Sequence, residues 1–267
     1  MSINTASAAT SGTFSIGGDL PVNRIGYGTI QLTGPGHWGR PTDANKARQL
    51  LRHALDLGCN HIDTADAYGP TTAEHLIHTA LHPYPAELVI ATKGGMTRQG
   101  PHQWAPLGRP EYLRQCVEMS LRRLQLDRID LYYLHRIDPQ IPLEDQVGAL
   151  HDLRNQGKIR HIGLSKVTVS QIQAARKITP IAAVQNRFNL LDEGDDAVLD
   201  YCTKTRTAFV AYAPLAAGAL VNNPDDPDAA THSIQWLLDK SPVALPIPGS
   251  TSLAHLTQNA AAATGKC

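Results

Sequence analysis

The sequence predicts an α/β protein built as a closed (β/α)8 barrel, a TIM barrel, preceded by an N-terminal β-hairpin. Three observations carry the prediction. Short apolar segments alternate with amphipathic helical segments eight times along the chain. The apolar segments are continuous runs rather than alternating patterns, as expected for parallel strands covered on both faces. The length, 267 residues, suits a single barrel of about 250 residues. An open doubly wound sheet is the competing architecture, and no GxGxxG opens the first helix to support it.

In chain order, Met1 to Gly12 is small and polar, without the basic and apolar regions of a signal peptide, and reads as a disordered tail, residues 1–12. Residues 13–267 form one domain. Thr13 to Asn23 alternates around Gly17-Gly18-Asp19, a hairpin signal, and this hairpin is expected to cover the bottom of the barrel. Arg24 to Ile30 is the first strand, with glycines that allow close approach. A Gly/Pro-rich loop, Gln31 to Arg40, precedes a helix capped at Thr42-Asp43. Its apolar positions Ala47, Leu50, Leu51, Ala54, Leu55 and Leu57 follow a 3.6-residue period, and Gly58 ends it. The remaining pairs are strand 61–65 and helix 71–82, strand 88–93 and helix 110–126, and strand 129–135 and helix 142–157. They continue with strand 161–166 and helix 168–178, strand 182–188 and helix 193–205, strand 208–213 and helix 229–240, and strand 243–247 and helix 252–263. The loop Gly94 to Arg109 is long and carries His102 and Trp104. The loop Pro214 to Ala229 is short and contains Asp225 to Asp228.

Composition excludes several function classes. Lys+Arg and Asp+Glu balance at 24 each, which offers no general attraction to nucleic acid or anionic membranes. No apolar run approaches the ~18 residues of a membrane span. Cys59, Cys116, Cys202 and Cys267 lie far apart and read as reduced thiols of a cytoplasmic protein. His75 and His78 share a helix face but lack an HExxH pattern or a carboxylate partner, so no metal site is expected.

The chemistry concentrates where strands end. In a barrel of this class the catalytic groups gather at the C-terminal rim of the strands. Asp63 and Tyr68 follow the second strand, Lys93 ends the third and His135 ends the fourth. Neighbouring strands stand about 5 Å apart, so the four side chains can converge. A free tyrosine has a pKa near ~10. An adjacent Lys93 favours its phenolate, and Asp63 can hold Lys93 in place and charged. His135 can donate a hydrogen bond to a carbonyl oxygen. The set is built to protonate an oxygen and lacks an obvious nucleophile.

With these residues in view, the chain resembles the aldo-keto reductases from about Thr13 to Ala263. The resemblance rests on His61-Ile-Asp-Thr-Ala-Asp-Ala-Tyr-Gly69, Lys93, Leu134-His135, Ile162-Gly-Leu-Ser165, Val184-Gln-Asn186, Ala211-Tyr-Ala-Pro-Leu215 and Ile247-Pro-Gly-Ser250. Asn23-Arg-Ile-Gly-Tyr-Gly28, Gln31 to Gly36 and Ala174 to Ile178 look most like the pyridoxal reductase branch. The resemblance implies hydride transfer from NADPH to an aldehyde or ketone, a small-molecule carbonyl substrate, with NADH not excluded. It implies Asp63, Tyr68, Lys93 and His135 as the catalytic tetrad. It also implies cofactor contacts at Gly28, Thr29, Asp63, Ser165, Gln185, Tyr212 (stacked on the nicotinamide), Leu215, Ser250 and Asn259.

Three departures accompany the resemblance. Lys166 stands where the family commonly has Asn. Gly249, Thr251, Ser252 and His255 stand where many members place basic residues against a phosphate. The loop after the seventh strand and the C-terminus, which ends at Cys267, are shorter than usual, so the barrel is expected to be shortened at its C-terminus with an open site and weaker cofactor retention. Two other functions fit the same residues: a regulatory barrel that senses cofactor, and a non-redox acid/base enzyme of a biosynthetic pathway.

Overall fold

The computed structural model describes residues 7–221, 226 and 228–264. Eight parallel strands form one sheet in chain order: β1 (Tyr27–Gly28), β2 (His61–Asp63), β3 (Val89–Gly94), β4 (Ile129–Leu134), β5 (Ile159–Ser165), β6 (Ala183–Arg187), β7 (Ala208–Tyr212) and β8 (Ala244–Pro246). Each is followed by a helix: α1 (Ala44–Asp56), α2 (Thr72–Leu81), α3 (Pro110–Leu124), α4 (Leu143–Asn155), α5 (Val169–Arg176), α6 (Asp196–Thr205), α7 (Ala229–Lys240) and α8 (Leu253–Ala261). Of the positions the periodicity selects, Ala47, Leu50, Leu51 and Ala54 on α1 and Leu57 just past its end are buried, and Leu55 is half-buried.

The ring closes between its first and last strands. The Gly26 N–H donates to Pro246 O at 3.0 Å. The two backbones lie so close that a Cβ on Gly28 would stand 2.8 Å from Ile247 O, and one on Gly249 would stand 2.9 Å from Gly28 O. Glycine at both positions is what permits this approach. The closure is pinned by Tyr27, whose hydroxyl donates to Ser250 O at 2.7 Å, and by Arg24, which donates to the carbonyls of Leu238 and Ser241 at 2.7 and 2.6 Å.

The N-terminal hairpin (Thr13–Ile16 with Leu20–Asn23) plugs the other end of the barrel. Gly17 and Gly18 supply the positive φ of its turn, 65° and 90°. Ile16, Leu20 and Val22 pack with Val89, Leu131, Tyr133, Ala183 and Ala208 in one buried cluster. Asp19 at the turn takes hydrogen bonds from Arg160 and His161, at 2.9 and 2.6 Å, where β5 begins. The bore is therefore filled by side chains at the N-terminal ends of the strands, and access is left to the C-terminal rim.

Several sequence expectations change. The strand expected over 24–30 contracts to Tyr27–Gly28, because Arg24 and Gly26 serve the closure and Ile30 opens a short 3-10 turn. Within the expected tail, Ala8–Ser11 is a 3-10 turn with Ala8 buried, its N–H bonded to Leu57 O at 2.7 Å; residues 1–6 lie outside the described residues. The long loop after β3 contains an antiparallel hairpin, Met96–Gly100 with Gln103–Pro106. After β7 a 3-10 turn covers Ala216–Gly218; residues 222–225 and 227, and the terminal 265–267 with Cys267, lie outside the described residues. Cys59, Cys116 and Cys202 are free and buried. Among the described residues no helix is long and apolar enough to cross a membrane.

Candidate active site

The four groups that the strand ends carry do converge. Lys93, wholly buried on β3, extends its ammonium to Asp63 Oδ1 at 2.5 Å, to Thr64 O at 2.8 Å and to the Tyr68 hydroxyl at 3.5 Å. Asp63 Oδ2 accepts from Gln185 Nε2 at 2.7 Å, so both carboxylate oxygens are engaged. The Tyr68 and His135 rings meet edge-on with centroids 5.9 Å apart. Tyr68 is brought back over the strand ends by a tight turn, in which its N–H bonds Ala65 O and Gly69 takes φ 93°. Asp63 and Lys93 sit on adjacent strands in near register, Asp63 facing Ala91 two residues before Lys93. That offset suits a long side chain reaching back to a short one.

Burial governs the electrostatics. It raises the Tyr68 pKa above 10, and the opposing charge of Lys93 does not fully offset it. The phenol is therefore protonated at neutral pH, and the sequence expectation of a phenolate favoured by Lys93 is outweighed by desolvation. Burial also works against the Lys93 ammonium, but Asp63 and Tyr68 outweigh it and the Lys93 pKa rises. His135 is held well below 6.5 by burial and then by Lys93, Arg136 and Arg98, so its ring is neutral. Behind Tyr68 lies a second buried polar group. Glu74 accepts from Thr92 at 2.7 Å and from Arg123 at 2.5 Å, and burial beside Glu74 pushes Asp66 up to about 7.

The rim of the site is held by Arg98, on the hairpin after β3. Its guanidinium donates to the carbonyls of Gly36, His37, Ala67, Gly100 and Gln103 at 2.7–3.3 Å. It stacks on Trp104 with 3.6 Å to the ring centroid. One side chain thus ties the loop after β1, the Tyr68 loop and the hairpin together. Trp104 in turn meets Tyr68 and His135 edge-on at 6.4 and 6.1 Å, and His37 at 6.3 Å. The result is an aromatic wall beside the phenol.

A cavity of about 880 Å³ opens from this wall across the top of the barrel to the start of α8. Its lining includes Asp63, Tyr68 and His135, with Lys93 beneath them bonded to two of the three. All nine residues expected to hold cofactor line it: Gly28, Thr29, Asp63, Ser165, Gln185, Tyr212, Leu215, Ser250 and Asn259. Asn259 is 2% exposed, and neither its Oδ1 nor its Nδ2 has a hydrogen-bond partner. A buried amide so placed on a cavity wall costs stability until a ligand satisfies it. Together with the bare Gly28–Gly249 backbone, it makes the residues present fit an elongated polar ligand such as a dinucleotide. Among the described residues, the α8 end of the lining contains Thr251, His255 and Gln258 but no lysine or arginine.

Lys166 is exposed, with a left-handed φ of 54°, and does not line the cavity. Trp104 lines it, whereas Trp38, in the loop after β1, does not. Tyr132 and Tyr133 are fully buried packing residues. Among the described residues no group of three or more His, Cys, Asp or Glu is gathered for a metal. The sequence reading missed His37, Met96 and Arg136 on the wall and Arg98 behind it. The signal for Arg136 was its place directly after the strand-end His135; Arg98 offered none, being a lone cation in a loop.

Comparison with known proteins agrees with this geometry. The sequence matches the aldo/keto reductase family over residues 24–233. An uncharacterized oxidoreductase of Schizosaccharomyces pombe is 44% identical over 265 residues, covering 96% of this chain and 86% of that protein. The pyridoxine 4-dehydrogenase of Escherichia coli is 40% identical over 267 residues, covering 95% and 93%. The crystal structure of an aldo-keto reductase from Klebsiella pneumoniae in complex with NADPH superposes with a TM-score of 0.80 at 27% identity, covering 94% of this chain and 89% of that one. The chain belongs to the aldo/keto reductase family.

Proposed function

We propose that the protein is a carbonyl reductase that uses NADPH to convert an aldehyde or ketone to an alcohol. The observation that carries this reading is the hydrogen-bonded set Asp63–Lys93–Tyr68 lying under a cavity that Tyr68 and His135 both face. The nicotinamide cofactor, when bound, supplies the hydride. Tyr68 delivers the proton to the carbonyl oxygen, and its burial keeps that proton in place until the oxygen becomes basic. Lys93 is the fixed cation that stabilises the phenolate left behind, with Asp63 neutralising it at rest. Neutral His135 orients the carbonyl oxygen toward Tyr68. Gln185 gives its Nε2 to Asp63 and retains Oε1 for a ligand donor, which suits a carboxamide. Tyr212 offers a half-buried ring face for stacking.

The aromatic wall of Trp104 and His37 favours a planar aldehyde. The likeness to a pyridoxine 4-dehydrogenase supports including pyridoxal among candidate substrates. The test is NADPH oxidation at 340 nm against a panel of aromatic and aliphatic aldehydes that includes pyridoxal, with Tyr68→Phe alongside. The expected result is turnover that Tyr68→Phe lowers by roughly 10²–10⁴-fold, the range for a positioned general acid. Full activity in Tyr68→Phe would refute the proton-donor assignment. Failure of NADPH to bind at millimolar concentration would refute the reductase reading.

A further inference from the structure

The cavity wall carries one guanidinium that the tetrad does not use. Arg136 follows His135 directly at the end of β4 and lines the cavity. Its Nη1 donates to His135 O at 2.9 Å and to Ser165 Oγ at 3.0 Å, which fixes the plane of the group. The opposite edge, formed by Nε and Nη2, makes no hydrogen bond among the described residues. Among the described residues the arginines in ion pairs are Arg114, Arg123, Arg160 and Arg187, and no carboxylate pairs with Arg136. Asp63, the acidic residue lining the cavity, is already committed to Lys93 and Gln185. The tetrad end of the cavity thus holds a neutralised Asp63–Lys93 pair and one uncompensated positive charge. That charge is near enough to help depress His135 and to oppose the rise of Tyr68.

A half-buried guanidinium pinned on one edge and free on the other matches a planar or tetrahedral oxyanion in bidentate fashion. We propose that the free Nε/Nη2 edge of Arg136 is a subsite for an anionic group, a carboxylate or a phosphate, borne by the carbonyl substrate. The inference rests on the reductase reading for the identity of the reacting group. It adds that the preferred aldehydes or ketones are acids. Because Arg136 is the chain neighbour of His135, the anion and the reacting carbonyl belong on one small molecule, with the carbonyl at Tyr68 and the anion at Arg136.

The test compares matched pairs that differ only in charge: 3-carboxybenzaldehyde with its methyl ester, and glyceraldehyde 3-phosphate with glyceraldehyde. The first pair reports a carboxylate and the second a phosphate. The wild-type protein is expected to prefer the anionic member of at least one pair by tenfold or more in kcat/KM, expressed mainly in KM. Arg136→Met should collapse that ratio toward one. Arg136→Lys, which keeps the charge and loses the fork, should restore only part of it. A wild-type ratio near one for both pairs would overturn the proposal, as would an Arg136→Met variant that keeps the wild-type ratio. A tenfold weaker NADPH Kd in Arg136→Met with the ratio unchanged would assign the edge to the cofactor instead and also overturn it. The corresponding alcohols, 3-carboxybenzyl alcohol and its methyl ester, are titrated by tryptophan fluorescence. Charge discrimination in this binding assay without any turnover would uphold the subsite and count against the reductase reading alone.

Discussion

Replacing Lys93 by methionine probes the centre of the site. The side chain is fully buried, and Asp63, its partner at 2.5 Å, is 1% exposed. Methionine keeps most of the volume and removes the charge, so Asp63 keeps the Gln185 bond but loses its only cation. Thr64 O loses a donor as well. Breaking a buried pair from one side costs about 3–5 kcal/mol, a large share of the ~5–15 kcal/mol that stabilises a typical domain. For a chain of this size that corresponds to a fall of roughly 6–20 °C in melting temperature. The double variant Asp63→Asn/Lys93→Met removes both charges and should recover a substantial part of the loss. Thermal melts of the three proteins at pH 7 decide the matter. A Lys93→Met protein that melts within 2 °C or so of wild type, with the double variant no different from the single one, would refute the picture of a charged pair maintained in the dry interior.

Two further outcomes follow from the same geometry. Arg98→Ala should lower kcat/KM for aromatic aldehydes by about tenfold, since the guanidinium that fixes Trp104 and the Tyr68 loop is lost and orientation carries much of the rate. Aliphatic aldehydes of equal length should suffer less, and Arg98→Lys should rescue little because it lacks the fork; equal losses for both substrate classes would contradict this. Asp66 has a folded pKa near 7, above its ordinary 3.8. Between those values the folded protein holds a proton that the unfolded chain releases, so this carboxyl subtracts from stability progressively as pH rises through the window. Asp66→Asn should therefore stabilise the protein at pH 8 by up to about 4 kcal/mol, with the gain shrinking toward pH 4; a pH-independent difference in melting temperature would refute it.

Three of the four candidate catalytic groups were legible because they lie at or next to strand ends, where the barrel's geometry leaves few places for a side chain to point; Tyr68 was legible from its spacing, five residues past Asp63. Asp63, Lys93 and His135 follow from three apolar runs and one topology. The nine positions expected to hold cofactor came from resemblance rather than pattern, and their gathering around one cavity depends on the ring closing. What local reading could not supply was the rim. The hairpin Met96–Gly100 with Gln103–Pro106 is paired across a tip at Pro101 and His102, and His102 adopts a left-handed φ of 58° that its identity does not announce. Arg98 is legible only once three separate loops stand around it. The net direction of the Tyr68 shift was also out of reach, because it depends on how dry the cavity floor is, and sequence reports charge partners more readily than burial.

The closure between β1 and β8 has a consequence for biosynthesis. Gly26 and Pro246 are separated by 220 residues, and the ribosome delivers them in that order. At elongation rates of about 5–20 residues per second, the outer edge of β1 waits roughly 10–40 s for its neighbour. Throughout that interval the nascent sheet has an unpaired edge, the kind of surface that recruits other chains. The hairpin, emerging first, cannot shield this edge because it belongs to the bottom of the bore. Gly28 and Thr29 line the cavity on one side of this junction, and Ser250 and Asn259 line it on the other. The cavity is therefore completed only after residues 250–259 have been made, and a ligand bound there cannot template the early stages of folding. Cells that need more of this enzyme are expected to depend on holdase chaperones during translation, and on cofactor supply only afterwards.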